Sequence, residues 1–277
     1  MQPRKDLLGY RAFLVDIDGV LTRGSAGLPG AAEALRALES AAPTLLLSNN
    51  STRSRRELAQ HLQALGFSVD PAGVLPSSTL AAHYLLQEIG PTRVWVVGEA
   101  GLREELVAAG HEVAARPEDA AWLIVGMDRN LTYKTLDAAL HAMLAGARFL
   151  ATNEDATFPT SDGVVPGAGA IVGALRGMGF APHAVMGKPS PHALEIALRK
   201  LGRPPEQVLM IGDRLDTDIA GAAAAGMDSA LVLCGVTREA DVPRSAAGPT
   251  WIAADLAALV RGDARRVDQG AGNQPGV

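Results

Sequence analysis

The chain has 277 residues, 48% of them hydrophobic, and a formal charge of −5. This is enough to bury a core in one large or two moderate domains, and it excludes global disorder. The charge argues against a nucleic-acid partner held by a broad basic surface, but not against a small anionic substrate, because one bound cation reverses the sign of a pocket.

Residues 1–11 carry charge without an apolar signal segment, and no apolar run approaches the roughly 18 residues of a membrane helix, so a cytoplasmic protein with no membrane partner is expected. Ala12-Phe13-Leu14-Val15 then reads as a buried strand, followed by Asp16 and Asp18. Positions i and i+2 of a strand share a face, so the two acids point the same way, and Gly19 frees the backbone to turn. Asp-x-Asp-Gly also suits an ordinary turn, and a calcium loop is disfavoured because the glycine comes too early. Two like charges side by side are costly unless a cation joins them, and oxygen ligands suit Mg²⁺.

A helix from Ala31 to Leu38 and a strand from Pro43 to Leu47 follow, the strand ending in Ser48-Asn49-Asn50-Ser51-Thr52. Hydroxyl and amide groups there can donate to an anion without adding charge. A helix from Ser54 to Leu65 and a strand at Val74–Ser78 complete a βαβαβ run, the mark of a parallel sheet. Next come a helix at Thr79–Ile89, a strand at Val94–Gly98 and a helix at Leu102–Ala109. Strands at Trp122–Val125 and Phe149–Ala151 flank a helix at Thr135–Ala145. The chain between Ser48 and Lys188 exceeds what one βα unit needs, which predicts a nested second domain. Gly98-Glu-Ala-Gly101 and Pro166-Gly167-Ala-Gly169 do not complete a dinucleotide-binding fingerprint and read as turns or helix entries.

Ala184–Met186 reads as a short strand, and Lys188 then sits between Gly187 and Pro189 in a chain whose only lysines are Lys5, Lys134, Lys188 and Lys200. That rigid setting favours function over a solvated turn. After a helix at Pro191–Leu201, the strand Val208–Gly212 ends in Asp213, with Asp216 and Asp218 close behind. Helix capping accounts for one of these acids but not all three. Ala230–Cys234 reads as a core strand, and its one cysteine excludes an internal disulfide and fits a reducing compartment. A strand at Pro249–Ile252 and a helix at Ala254–Arg261 precede a polar tail.

Four strand ends therefore carry chemistry: Asp16 with Asp18, Ser48 with Asn49, Lys188, and Asp213 with Asp218. Their order and types resemble the haloacid dehalogenase-like superfamily. Asp16-Ile-Asp-Gly-Val-Leu-Thr-Arg-Gly24, Ser48–Thr52, Ala151-Thr-Asn-Glu-Asp155, Gly187–Pro191 and Gly212–Ile219 are similar to its branch of 4-nitrophenylphosphatase, nucleotide monophosphatase, pyridoxal phosphatase and phosphoglycolate phosphatase. The resemblance spans nearly the whole chain.

It implies an α/β fold: a doubly wound, parallel-sheet Rossmann-like core (1–79 and 183–262) with an inserted α/β cap (80–182) that sets specificity, and a disordered tail (263–277). It implies a Mg²⁺-dependent phosphatase acting on a small phosphorylated metabolite. Asp16 would be the nucleophile and Asp18 the acid and base, with Mg²⁺ held by Asp16, the Asp18 carbonyl and Asp213. Ser48, the Asn49 backbone and Lys188 would hold the phosphoryl oxygens, with Asn50 in the same phosphate-binding set. Asp218 would orient Lys188 or a water on the metal, and Asn153 and Asp155 would face the substrate or stabilise their own loop. An acid at position 18 separates the chain from metal-free dehalogenases and P-type pumps. A phosphotransferase or mutase, and a silent metabolite-binding module, are the alternatives. A homodimer through the cap is one assembly the resemblance allows.

Overall fold

The computed structural model describes residues 7–160, 163–244 and 247–267. In chain order the strand β1 (Ala12–Asp16) is followed by a hairpin of β2 (Thr22–Arg23) and β3 (Ala26–Gly27), then α1 (Ala31–Ala41), β4 (Thr44–Ser48), α2 (Arg55–Ala64), β5 (Val74–Pro76) and α3 (Ser77–Ile89). The middle section holds β6 (Arg93–Val97), α4 (Ala100–Ala108), β7 (Glu112–Val113), β8 (Trp122–Val125), α5 (Tyr133–Leu144), β9 (Arg148–Ala151), a hairpin of β10 (Thr157–Thr160) and β11 (Gly163–Pro166), and α6 (Ala168–Gly177). Then come β12 (Ala184–Val185), α7 (Pro191–Leu201), β13 (Val208–Gly212), α8 (Ala220–Ala224), β14 (Asp228–Val232), β15 (Trp251–Ala253), α9 (Leu256–Arg261) and β16 (Arg265–Arg266).

The chain divides into two compact units, Met1–Thr44 with Leu198–Val277, and Leu45–Ala197. In the first, β15, β14, β13 and β1 lie side by side in parallel, and β16 closes one edge antiparallel to β15. Every residue of β1 and β13 is buried, which is why both read as unbroken apolar runs rather than alternating ones. Helix α1 buries Ala31, Ala34, Leu35, Ala37 and Leu38, a stripe at helical spacing, and packs against α9.

The second unit carries a parallel five-stranded sheet in the order β12-β9-β8-β6-β7, together with the parallel pair β4 and β5. Its core gathers Val97, Leu123, Val125, Phe149, Ile171, Val172 and Leu175. Helices α2 and α5 start in capping boxes, Ser54 with Glu57 and Thr132 with Thr135, so each entry point is fixed by reciprocal side-chain and backbone bonds.

Three features bear on the expected bounds. Helix α3 runs unbroken from Ser77 to Ile89, so a border at 79/80 falls inside a helix. The strand expected to open the returning core, β12, pairs instead with β9, Ala184 beside Leu150 and Val185 beside Ala151, so the five-stranded sheet extends past residue 182. Within the stretch from 263 expected to be a disordered tail, Arg265 and Arg266 pair with Ile252 and Trp251 and cover the edge of β15 that would otherwise stand unpaired. The rest of that tail, 268–277, lies outside the described residues. Among the described residues no helix is long and apolar enough to cross a membrane.

Candidate active site

In the first unit Asp16 closes β1 and Asp213 directly follows β13. These strands are parallel and in register, Val15 level with Ile211, so both acids emerge at one carboxyl end, where α/β sheets bind ligands. Asp218 joins them from a single π-helical turn, Leu215–Ile219, that opens into α8. One carboxylate oxygen from each of Asp16, Asp213 and Asp218 lies within 4.8 Å of the others, and all three residues are buried. Like charges this close in a medium of low dielectric repel strongly. Hard oxygen donors grouped in this way suit a cation of the Mg²⁺ class.

Backbone donors fix the cluster. Asp218 Oδ2 accepts the N–H groups of Asp213 (3.2 Å) and Arg214 (3.1 Å), holding the loop that carries Asp213. Asp213 Oδ2 accepts the Val236 N–H at 2.7 Å. The Asp18 carboxylate is not among the three grouped oxygens. Asp18 is half-buried in the turn after β1, where Gly19 N–H donates to the Thr22 carbonyl at 2.7 Å and brings β2 back. Gly19 has φ 93°, and a Cβ there would lie 2.3 Å from Asp213 Oδ2, so only glycine fits both the turn and the space. Cys234 differs from the core strand residue expected. It follows β14, is half-buried, and donates its thiol to the Gly19 carbonyl at 3.1 Å. Burial pushes the thiol up to about 11, with the charges of Asp255 and Asp213 adding to the shift, so it is a poor nucleophile.

The second unit holds the other group of expected site residues. Ser48 ends β4, and its Oγ accepts the Asn50 N–H at 3.1 Å, which uses a lone pair and leaves the hydroxyl proton to donate. Lys188 is 4% exposed, and its Nζ donates to the Leu47 carbonyl at 3.3 Å, which sets the ammonium beside the end of β4. Asn49, Asn153, Asp155 and the Lys188 backbone form one hydrogen-bonded cluster. The side-chain oxygen of Asn50 is used in a local turn, accepting Thr52 N–H and Thr52 Oγ1, each at 2.8 Å. Arg129 forms a two-pronged pair with Glu99 at 2.7 and 2.6 Å, the salt-bridging role that an exposed arginine favours. Sequence reasoning missed Ser51, whose buried Oγ accepts the Met127 N–H at 3.0 Å and ties the loop after β8 to the polar segment after β4. No local pattern could signal that bond, since 76 positions separate its partners.

Buried carboxylates grouped at the carboxyl ends of parallel strands are suited to a cation-assisted enzyme centre. Two family models match the sequence, one described as haloacid dehalogenase-like hydrolase over residues 13–112 and one as HAD-hydrolase-like over 185–259. Dihydroxyacetone phosphatase of Corynebacterium glutamicum is 32% identical over 250 residues, 90% of each chain. Among solved structures, p-nitrophenyl phosphatase from Archaeoglobus fulgidus superposes with a TM-score of 0.87 at 35% identity, covering 91% of this chain and 99% of that one. Glycerol phosphate phosphatase from Mycobacterium tuberculosis, in complex with magnesium, gives 0.85 at 35% identity, covering 94% and 79%. The chain belongs to the haloacid dehalogenase-like hydrolases.

Proposed function

We propose that this enzyme is a Mg²⁺-dependent phosphatase that hydrolyses a small phosphate monoester, with a phosphorylated polyol or sugar as the substrate class. The observation that carries this reading is the buried carboxylate cluster of Asp16, Asp213 and Asp218 at the carboxyl ends of parallel strands. The names of the relatives, acting on dihydroxyacetone phosphate and glycerol phosphate, support the substrate class. Asp16, the Asp18 carbonyl and Asp213 would hold the cation, with Asp218 fixing the loop of Asp213 through its bonds to that backbone. When bound, Mg²⁺ supplies positive charge that neutralises phosphoryl oxygens and lets an anionic nucleophile approach an anion.

The protein's own residues do the rest. Asp16 attacks phosphorus and takes the phosphoryl group as an aspartyl-phosphate while the ester oxygen departs. Asp18 gives a proton to that leaving oxygen, then takes one from the water that hydrolyses the intermediate. The Ser48 hydroxyl, the Asn49 N–H and the Lys188 ammonium hold phosphoryl oxygens. A core of 1–79 and 183–262 and a cap of 80–182 remain the proposed functional division. A cytoplasmic setting is proposed on the single cysteine, and pairing through the cap on the family resemblance.

Thermal melts and hydrolysis of glycerol and sugar phosphates, each with Mg²⁺ and with a chelator, test the reading. Mg²⁺ at about 100 times its Kd is expected to stabilise the wild type by about 2.7 kcal/mol. The Asp213→Asn variant is expected to lose most of that shift, and chelation is expected to abolish turnover. Turnover indifferent to chelation would reject the reading.

A further inference from the structure

Asn49 was expected to serve through its backbone, yet its side chain is itself bonded to both Lys188 and Asp155 in the second unit's cluster. Asn49 Oδ1 accepts the N–H of Lys188 at 2.8 Å, and Asn49 Nδ2 donates to the carbonyl of the same residue at 2.9 Å. The carboxamide therefore grips both main-chain groups of Lys188, as a neighbouring strand would. The second proton of Nδ2 goes to the Asp155 carboxylate, 3.0 Å to Oδ2 and 3.3 Å to Oδ1. The oxygen and nitrogen positions are forced by the partners: reversed, the amide would set donor against donor at the Lys188 N–H, and acceptor against two acceptors at the Lys188 carbonyl and Asp155.

Asn153 closes the circuit. Its Nδ2 donates to the Asn49 carbonyl at 2.8 Å and to Asp155 Oδ2 at 3.1 Å. The Asn49 carbonyl also accepts Ser77 Oγ at 2.7 Å, from the first residue of α3. Gly187 makes the approach feasible: a Cβ there would lie 2.7 Å from both Asn49 Oδ1 and the Asn153 Cβ. A lysine head on a four-carbon stem is placed only as well as its own backbone is held. Here that backbone is held by a residue 139 positions away, and the same residue is tied to the loop after β9 that carries Asp155.

We propose that the Asn49 side chain is a positioning residue that locks the Lys188 peptide and couples it to Asp155, so that the ammonium and the 153–155 loop are set in place together. The inference rests on the phosphatase reading and deepens it. Asn49 acts through Lys188, not on the reacting atoms with its carboxamide, and loss of the clamp loosens the ammonium where phosphoryl charge must be met.

The test uses the full-length Mg²⁺-loaded enzyme with 4-nitrophenyl phosphate as probe. Asn49→Ala is expected to lower kcat by roughly 10- to 100-fold with KM changed by less than about threefold, since small misplacements of a positioned group cost rates of that order. In a Lys188→Ala background the same substitution is expected to have almost no further effect, the coupling of two residues that act as one. Asn49→Asp gives a second readout. An ionised carboxylate opposes Asp155 and the Lys188 carbonyl, whereas a protonated carboxyl offers one donor and one acceptor, so this variant's activity relative to wild type is expected to rise as pH falls. A purely structural role would not move the pH profile.

The inference is overturned if folded Asn49→Ala keeps wild-type kcat, or if Asn49→Asp shares the wild-type pH profile. If Asn49→Ala does not fold, the profile of Asn49→Asp decides alone. A wild type inactive on every phosphate monoester would overturn the phosphatase reading, and this inference with it. An active wild type with unaffected variants would overturn this inference only.

Discussion

Single residues in this protein are placed by neighbours near and far in sequence, and for Tyr10 burial and a distant partner also set how it titrates. Asp18 sits in the turn that Gly19 makes, two residues after Asp16, the proposed nucleophile. A general acid matters most when the leaving group is a poor one. Asp18→Asn is therefore expected to lower kcat/KM for glycerol phosphate by more than for 4-nitrophenyl phosphate, whose leaving group needs no proton. Equal losses on the two substrates would remove Asp18 from that step. Away from the site, the Tyr10 hydroxyl donates to Asp228 Oδ2 at 2.6 Å and accepts Trp251 Nε1–H at 3.1 Å. Burial, with the bond to Asp228 second, raises its ionisation above the usual tyrosine range. A raised folded-state pKa favours the protonated fold, so this stabilisation is complete below about pH 10, the unfolded value, and fades as pH rises above it. Denaturant melts of wild type and Tyr10→Phe should differ at pH 8 and converge towards pH 11. A constant gap would contradict that linkage.

At the scale of elements, what was readable from sequence depended on how local each signal was. β1, β8 and β13 are apolar runs of four or five residues bounded by polar turns, and they stand close to where the pattern placed them. α7 begins at Pro191, a residue pre-set for a first turn, and ends at Leu201 as read. The two hairpins were not legible. β2 and β3 have two residues each, too short for any alternation, and β10 contains Pro159, which counts against a strand until the antiparallel pairing with β11 is seen. The acids and Lys188 stood out as candidates because each lies at the end of a strand or a few residues beyond one and carries a local motif. Asn49's grip on Lys188 and Ser51's on Met127 were not, because long-range pairing leaves no local trace.

The contact of α2 with α4 is equally silent in sequence. Glu105 on α4 is buried and accepts the Arg55 N–H at 2.9 Å, occupying a donor at the first turn of α2, while Gly101 lies against the chain just before it. A Cβ at Gly101 would fall 2.2 Å from the Arg53 carbonyl carbon, a backbone atom that cannot swing aside. Gly101→Ala is expected to cost roughly 1–3 kcal/mol, the usual range for overpacking, measured as a lowered midpoint in denaturant. An unchanged midpoint would mean that the two helices slide apart without penalty.

For the whole molecule, the proposed mechanism assigns roles to residues of each compact unit: Asp16, Asp18, Asp213 and Asp218 belong to the first, Ser48, Asn49 and Lys188 to the second. Phosphate monoesters hydrolyse so slowly unaided that accelerations up to ~10²¹-fold are known, so no single group suffices. In the proposed mechanism the steps are joined by a covalent intermediate on Asp16, which would turn one difficult displacement into two easier ones. Borohydride reduction during steady-state turnover, followed by mass spectrometry of the peptide spanning residues 12–23, tests that intermediate directly. Position 16 is predicted to appear as homoserine, the reduction product of an aspartyl-phosphate, only when substrate and Mg²⁺ are both present. An unmodified Asp16 in an enzyme that is turning over, or homoserine at a different acid, would contradict the mechanism.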